Sequence, residues 1–302
     1  MTIPLQKLPY LAFEEVLSTI GLREKFILAA LSKKTANLVK KCVFFQRFRL
    51  EIDFDNWAIA LESDSLPETD DTRFSSEEYQ IHLTIFKVVE FIVKVFKISR
   101  ASIQTDVDFE MFNNYMVLFE RYGVNASRVE AQCTEASIQD FLKISKEVPH
   151  VSVDLIPLGS PSFDKNVFYH FEFIRIKFCN PIHLKWHKDL LFSLINCKNV
   201  EIEWTDKQLD SESVILYTID LQDFLKRWIS GSKIESLQMR GFDSTKFPAI
   251  FDSLRLSYSP WRPLRFDDND GFMIRQVRNG PKAIVYRSGD TVFLKTVQID
   301  LS

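Results

Sequence analysis

The run Cys197-Lys198-Asn199-Val200-Glu201-Ile202 sets apolar side chains at its first, fourth and sixth places, with charged and amide groups between them. The same form returns at Ala126/Val129/Ala131, Val148/Val151/Val153, Phe171/Ile174/Ile176 and Ile234/Leu237/Met239, with weaker copies at Phe45/Phe48/Leu50 and Ile98/Ala101/Ile103. The five stronger copies start 22, 23, 26 and 37 residues apart, and the segments 136–147, 184–196 and 221–230 between them have helical periodicity. A short strand followed by a helix at that interval is the pattern of a leucine-rich-repeat-like solenoid with a parallel sheet. The same alternation also fits an ordinary open α/β sheet. Either way, residues between the anchors project from the open face of the sheet. Arg175, Lys177, Glu201, Glu203, Gln238 and Arg240 are therefore the candidate target-binding residues, in a row whose charge changes sign from strand to strand.

Composition sets the frame around that repeat. Only 8 Gly and 11 Pro in 302 residues, with 46% hydrophobic content, call for long regular elements joined by tight connections and exclude collagen and low-complexity disorder. Four Cys at 42, 133, 179 and 197 have neither disulfide-framework nor zinc-site spacing. The start, MTIPLQKLPYLAFEEV, lacks the apolar core of a signal sequence, so the expected location is intracellular, in cytoplasm or nucleus. Residues 81–98 could be mistaken for a membrane span. Their charges Lys87, Glu90, Lys94 and Lys97 fall on one helical stripe, however, which predicts a helix sunk in a protein core rather than in a bilayer. The acidic stretch 62–78, with Pro and Ser among seven carboxylates, reads as a solvated loop.

Net charge is −3 overall, yet residues 22–50 hold eight Lys and Arg against Glu24. That imbalance predicts an acidic partner near the N-terminus. The region 8–44 reads as three short helices: Phe13, Val16, Leu17 and Ile20 share one face before Gly21, Leu22 and Phe26 repeat at i,i+4, and Ser32 stands as N-cap of a third helix. Such a unit is too small to bury its apolar faces alone, so it packs on the larger domain or presents apolar surface to a partner. An amphipathic bundle that merely caps the core is the plain alternative. A basic helix-turn-helix using Lys33, Lys34, Lys40 and Lys41 on phosphates is a weaker one, because no arginine is placed to read guanine.

Leu8-Pro9, Val16-Leu17, Leu22, Phe26 and the turn Leu31 to Ala36 together resemble an F-box in the variant form of the nematode F-box families. That resemblance implies docking on the acidic Skp-type adaptor of a cullin ubiquitin ligase through Leu8, Pro9, Val16, Leu17, Leu22, Phe26, Ser32, Lys33, Leu38 and Val39. Farther on, 224–243, with Leu225, Trp228, Ile229, Gly231 and Leu237, resembles the type-2 F-box-associated domain, departing from it at Ser232 where a second Gly is usual. The tail from Phe272 alternates apolar and polar residues around two turns, as a closing β-meander does. The expected organisation is thus an α/β chain: a three-helix F-box at 1–45, then a leucine-rich-repeat-like F-box-associated domain at 46–302 ending in a β-meander. The expected role is substrate recognition in a Skp-cullin-F-box ligase, with an unidentified protein target. A repeat-type scaffold outside any ligase is the rival.

No constellation for catalysis, cofactor or metal is assembled. His183 and His187 stand at i,i+4 but flank Lys185 and lack a HExxH glutamate, and Asp267, Asp268 and Asp270 lack the spacing of a calcium loop. Cys133 and Cys179 read as small hydrophobes rather than nucleophiles.

Overall fold

A computed structural model describes residues 8–54, 56, 58–63, 72–75, 81–104, 109–158, 163–164, 166–179, 186–204, 211–241, 247–250, 254, 263–266, 269–277 and 279–297. It is a mixed α/β chain that divides into two compact units, residues 1–131 and 132–302. The three N-terminal helices and the first strands fall in the first of these units.

The first unit opens with α1 (Tyr10–Thr19), α2 (Leu22–Leu31) and α3 (Lys33–Cys42). Ser32 caps α3: its Oγ accepts the Thr35 amide at 3.2 Å, satisfying one of the donors a helix start leaves open. Gly21 does not end α1 in the left-handed region. Its φ of −69° makes it the N-cap of α2, so α1 stops at an extended Ile20. After the helices come β1 (Phe48–Asp53), β2 (Ala58–Ser63), β3 (Thr72–Ser75), α4 (Ile81–Val95), β4 (Ile98–Gln104), α5 (Phe109–Tyr122) and β5 (Asn125–Thr134). The strand order is β3-β2-β1-β4-β5, antiparallel from β3 to β1 and parallel from β1 onward.

Strand β3 corrects the reading of 62–78 as loop. Residues 72–75 pair with β2, Leu61 opposite Thr72 and Ala58 opposite Ser75. The unpaired edge of β2 supplies a hydrogen-bonding template that no local composition signals. Helix α4 largely follows its sequence pattern: Val89, Ile92 and Val93 are buried, and Lys94 reaches Glu90 at 2.7 Å. It stops at Val95, because Ile98 already begins β4, so Lys97 leaves the polar stripe and lies over the Phe44 ring at 5.6 Å. Tyr115 of α5 anchors this core between Phe54, Phe86 and Phe119.

The second unit contains α6 (Ile138–Ile144), β6 (His150–Ile156), β7 (Phe173–Phe178), α7 (Trp186–Ser193), β8 (Asn199–Trp204), α8 (Ser211–Ser230), β9 (Ser236–Arg240), β10 (Pro263–Phe266), β11 (Asn269–Arg275), β12 (Lys282–Ser288) and β13 (Thr291–Val297). Its order is β6-β7-β8-β9-β13-β12-β11-β10, parallel through β9 and antiparallel thereafter. Each repeated triplet of this unit marks a strand. The second and third anchors lie within it, and the first sits just ahead; Val148, Phe171, Cys197 and Ile234 are all 2% exposed or less.

Two details tie α8 to the sheet. Trp228 is fully buried and donates its Nε1–H to the Ile234 carbonyl at 3.1 Å. Gly231 has φ +139°, a conformation that disfavours any side chain, and turns the chain from helix to strand. Ser232, the departure noted above, is a tie in its own right: its hydroxyl donates to the Ile195 carbonyl at 2.6 Å and accepts the Ile234 amide at 3.0 Å. A glycine there would lack both bonds. The meander closes through Gly289 at φ +61°, first of the two residues between Ser288 and Thr291, which suits a type II′ hairpin.

Candidate protein-interaction surfaces

The inward face of α1 buries Phe13 and Leu17, and α2 turns Leu22, Lys25 and Ala29 inward. Phe26, half-buried, meets Phe91 of α4 edge-on at 5.6 Å, and the Lys40 ammonium donates to the Lys94 carbonyl at 2.7 Å. The helices are therefore bound to the rest of their unit. Outward, α2 presents Ile27, Ala30 and Leu31, spaced i, i+3, i+4 on a single stripe. Ile27 is 48% exposed and Leu31 66%, while Leu11 on α1 reaches 77%. Exposed Lys33, Lys34, Lys40 and Lys41 lie on α3, so a basic face adjoins the apolar stripe in sequence.

The residues expected to contact an adaptor thus separate into two sets. Leu17, Leu22 and Val39 are covered by the chain itself. Pro9 and Lys33 are exposed, and Leu8, Val16, Phe26, Ser32 and Leu38 are half-buried. Sequence reasoning passed over Leu11 and Ile27, and took Leu31 as part of the F-box-like turn but not as a contact residue. For Ile27 and Leu31 the signal was present in α2, which is apolar on more than one side; such a helix either lies deep in a core or leaves apolar surface bare.

On the outward face of β6 to β9, the charged row is assembled largely as ion pairs. Glu203 accepts from Arg175 at 2.9 Å and from Arg240 at 3.0 Å, and Lys177 reaches Asp154 at 3.0 Å. Arg175 and Arg240 thereby share one carboxylate across three strands. Burial alone would raise the Glu203 carboxyl; the two guanidinium hydrogen bonds outweigh it and hold the group below its ordinary value. Arg175 and Lys177 are pushed up, chiefly by their hydrogen bonds to Glu203 and Asp154. Arg175, Glu201, Glu203, Gln238 and Arg240 line a depression of about 240 Å³. All six expected target-binding residues are on this face, five of them around one hollow.

Burial pushes the Cys133 and Cys197 thiols up to about 12, which keeps them protonated at neutral pH. His187 is buried against Phe178, with ring centroids 4.7 Å apart. His183, Asp267 and Asp268 lie outside the described residues, as does the side chain of Asp270. Among the described residues, no group of three or more His, Cys, Asp or Glu converges on a possible metal position, and no helix is long and apolar enough to cross a membrane.

Against known proteins, no family model, no curated protein and no solved structure matches this chain.

Proposed function

We propose that this chain is the substrate-recognition subunit of a Skp-cullin-F-box ubiquitin ligase, its N-terminal helices docking on the acidic adaptor and its second unit holding a protein target. The strand–helix repeat through β9 is, on this reading, the leucine-rich-repeat-like part of an F-box-associated domain. One observation carries the proposal. Of the twelve large apolar side chains left exposed among the described residues, six (Tyr10, Leu11, Ile27, Leu31, Phe44 and Phe45) fall within the first 45 residues. Apolar surface concentrated beside Lys33, Lys34 and Lys41, in the segment that resembles an F-box, suits a partner that is both apolar and acidic.

Docking driven by such a surface rests on burial of apolar area. Covering Leu11, Ile27 and Leu31 contributes up to about 1.5–3 kcal/mol per fully buried side chain, before the costs of association. Catalysis belongs to other subunits, and this chain raises the effective concentration of target near the ubiquitin-bearing enzyme.

The test is co-expression with a Skp-type adaptor followed by size-exclusion chromatography with light scattering. Wild type is expected to elute as a one-to-one complex, and Ile27→Asp/Leu31→Asp and Leu8→Ala/Pro9→Ala proteins with unchanged circular dichroism are expected to elute alone. A wild type that never associates, or variants that associate as well as wild type, would leave an interaction scaffold outside any ligase as the better reading.

A further inference from the structure

The outward face of the second unit is not uniform. Across β6 to β9, Arg175, Lys177 and Arg240 each have a carboxylate within 3.0 Å. The antiparallel strands differ. Val285, Val292, Leu294, Phe272 and Ile274 point inward and are buried, so by alternation Met273, Arg275, Lys282, Ile284, Tyr286, Phe293 and Lys295 form the opposite face. Register aligns them into rows: Met273 faces Ile284, which faces Lys295, and Tyr286 faces Phe293. The Tyr286 and Phe293 rings stack at 5.0 Å and 14°. The result is a half-exposed apolar strip bordered by Arg275, Lys282 and Lys295. Among the described residues none of these three cations has a carboxylate partner, and residues 271–297 hold five Lys and Arg against Asp290 alone.

We infer that the face of β11, β12 and β13 is a docking surface for an acidic protein segment carrying apolar side chains. Cations left unpaired beside an apolar strip attract carboxylates, while the strip buries the apolar side chains between them. Segments of the opposite charge are turned away by the same three groups. The paired row on β6 to β9 carries little net field by comparison, because its three cations stand among three carboxylates, Asp154, Glu201 and Glu203. The aromatic pair also favours a peptide over single-stranded nucleic acid: Phe293 already has the Tyr286 ring stacked on it and the Lys295 ammonium 5.8 Å from its centroid, so it is not a free platform for a base. Calling the bound segment a ubiquitination target rests on the ligase reading above; the binding itself does not.

Fluorescence anisotropy on the full chain tests this with three labelled probes: a decapeptide alternating Glu with Leu and Phe, its Lys counterpart, and oligouridylate. The acidic peptide is expected to bind at least tenfold more tightly than the other two, and at least tenfold more weakly to an Arg275→Glu/Lys282→Glu/Lys295→Glu protein. Hydrogen exchange on the wild type, which needs no variant to fold, should show the acidic peptide protecting 271–297. The Ile27→Asp/Leu31→Asp protein should bind that peptide as wild type does, so failure of adaptor docking and failure of this surface are read separately. Equal binding of the acidic and basic peptides, tighter binding of oligouridylate, protection confined to other strands, or a folded triple variant that binds unchanged would each overturn the assignment.

Discussion

Helix α2 and the last ten residues of α8 have the same length but treat their apolar side chains in opposite ways. Leu221–Ser230 contains five large apolar residues, Leu221, Phe224, Leu225, Trp228 and Ile229, and all five are buried. Helix α2 contains seven apolar residues, counting its alanines, of which only Leu22 and Ala29 are buried, while Lys25 occupies the inner side with them. Hydrophobicity therefore does not decide burial here; the neighbours do. Helix α8 is the crossover between the parallel neighbours β8 and β9, a position that lays a whole helical face along a sheet. Among the described residues, helix α2 packs chiefly on α3 and, through Phe26, meets the side of α4, while its outer stripe stays exposed.

The largest effect should come from the covered helix. Trp228→Ala removes a fully buried indole and its hydrogen bond to Ile234, and urea denaturation should show a loss of about 3–5 kcal/mol. A loss under about 1 kcal/mol would mean that α8 is not part of the core and would undo the contrast with α2. Next is the cap that separates α2 from α3. Ser32→Ala should cost about 0.5–2 kcal/mol by the same measurement, and Ser32→Asp should retain most of the stability.

Smaller again is the ion-pair row. Glu203→Gln should cost about 0.5–1 kcal/mol at neutral pH, discounted because both arginines are more than a third exposed. Its pH dependence has a definite sign. A carboxyl held below its ordinary value contributes its full stabilisation above the unfolded value, about 4.3, and loses it as pH falls from there toward the folded value. The stability gap between wild type and Glu203→Gln should therefore be constant above about pH 5 and shrink in acid; a gap that grows on acidification would refute the pairing. The smallest stability change belongs to the uncovered stripe. Ile27→Asp/Leu31→Asp should alter unfolding free energy by about 0.5 kcal/mol or less per site, since both residues already meet water. A loss comparable to that of Trp228→Ala would show that α2 is covered after all.

Much of the fold was legible because its signals are local. The five stronger triplets coincide with the parallel strands β5 to β9 and the two weaker ones with β1 and β4, while Ser32 caps the helix it was expected to cap. The misses have a common origin in distant partners. Strand β3 exists because β2 offers an edge, and α4 is cut short by the strand that follows it. For the candidate adaptor surface, the F-box-like motif named the segment but not the exposed side chains: Leu17, Leu22 and Val39 turned inward, and Leu11, Ile27 and Leu31 turned out. For the charged row, strand alternation placed all six residues on one face, whereas nothing in the spacing showed that Glu203 would bind two arginines 28 and 37 residues away.

By itself, the amino-acid sequence determined where most of the strands and helices form, which side of the repeated strands is apolar, and where charge accumulates, because periodicity, capping and composition act over a few residues. Only the tertiary structure decided which of those apolar sides is covered and which charges are neutralised. Both depend on groups far along the chain, whose positions follow from strand order and register rather than from local sequence.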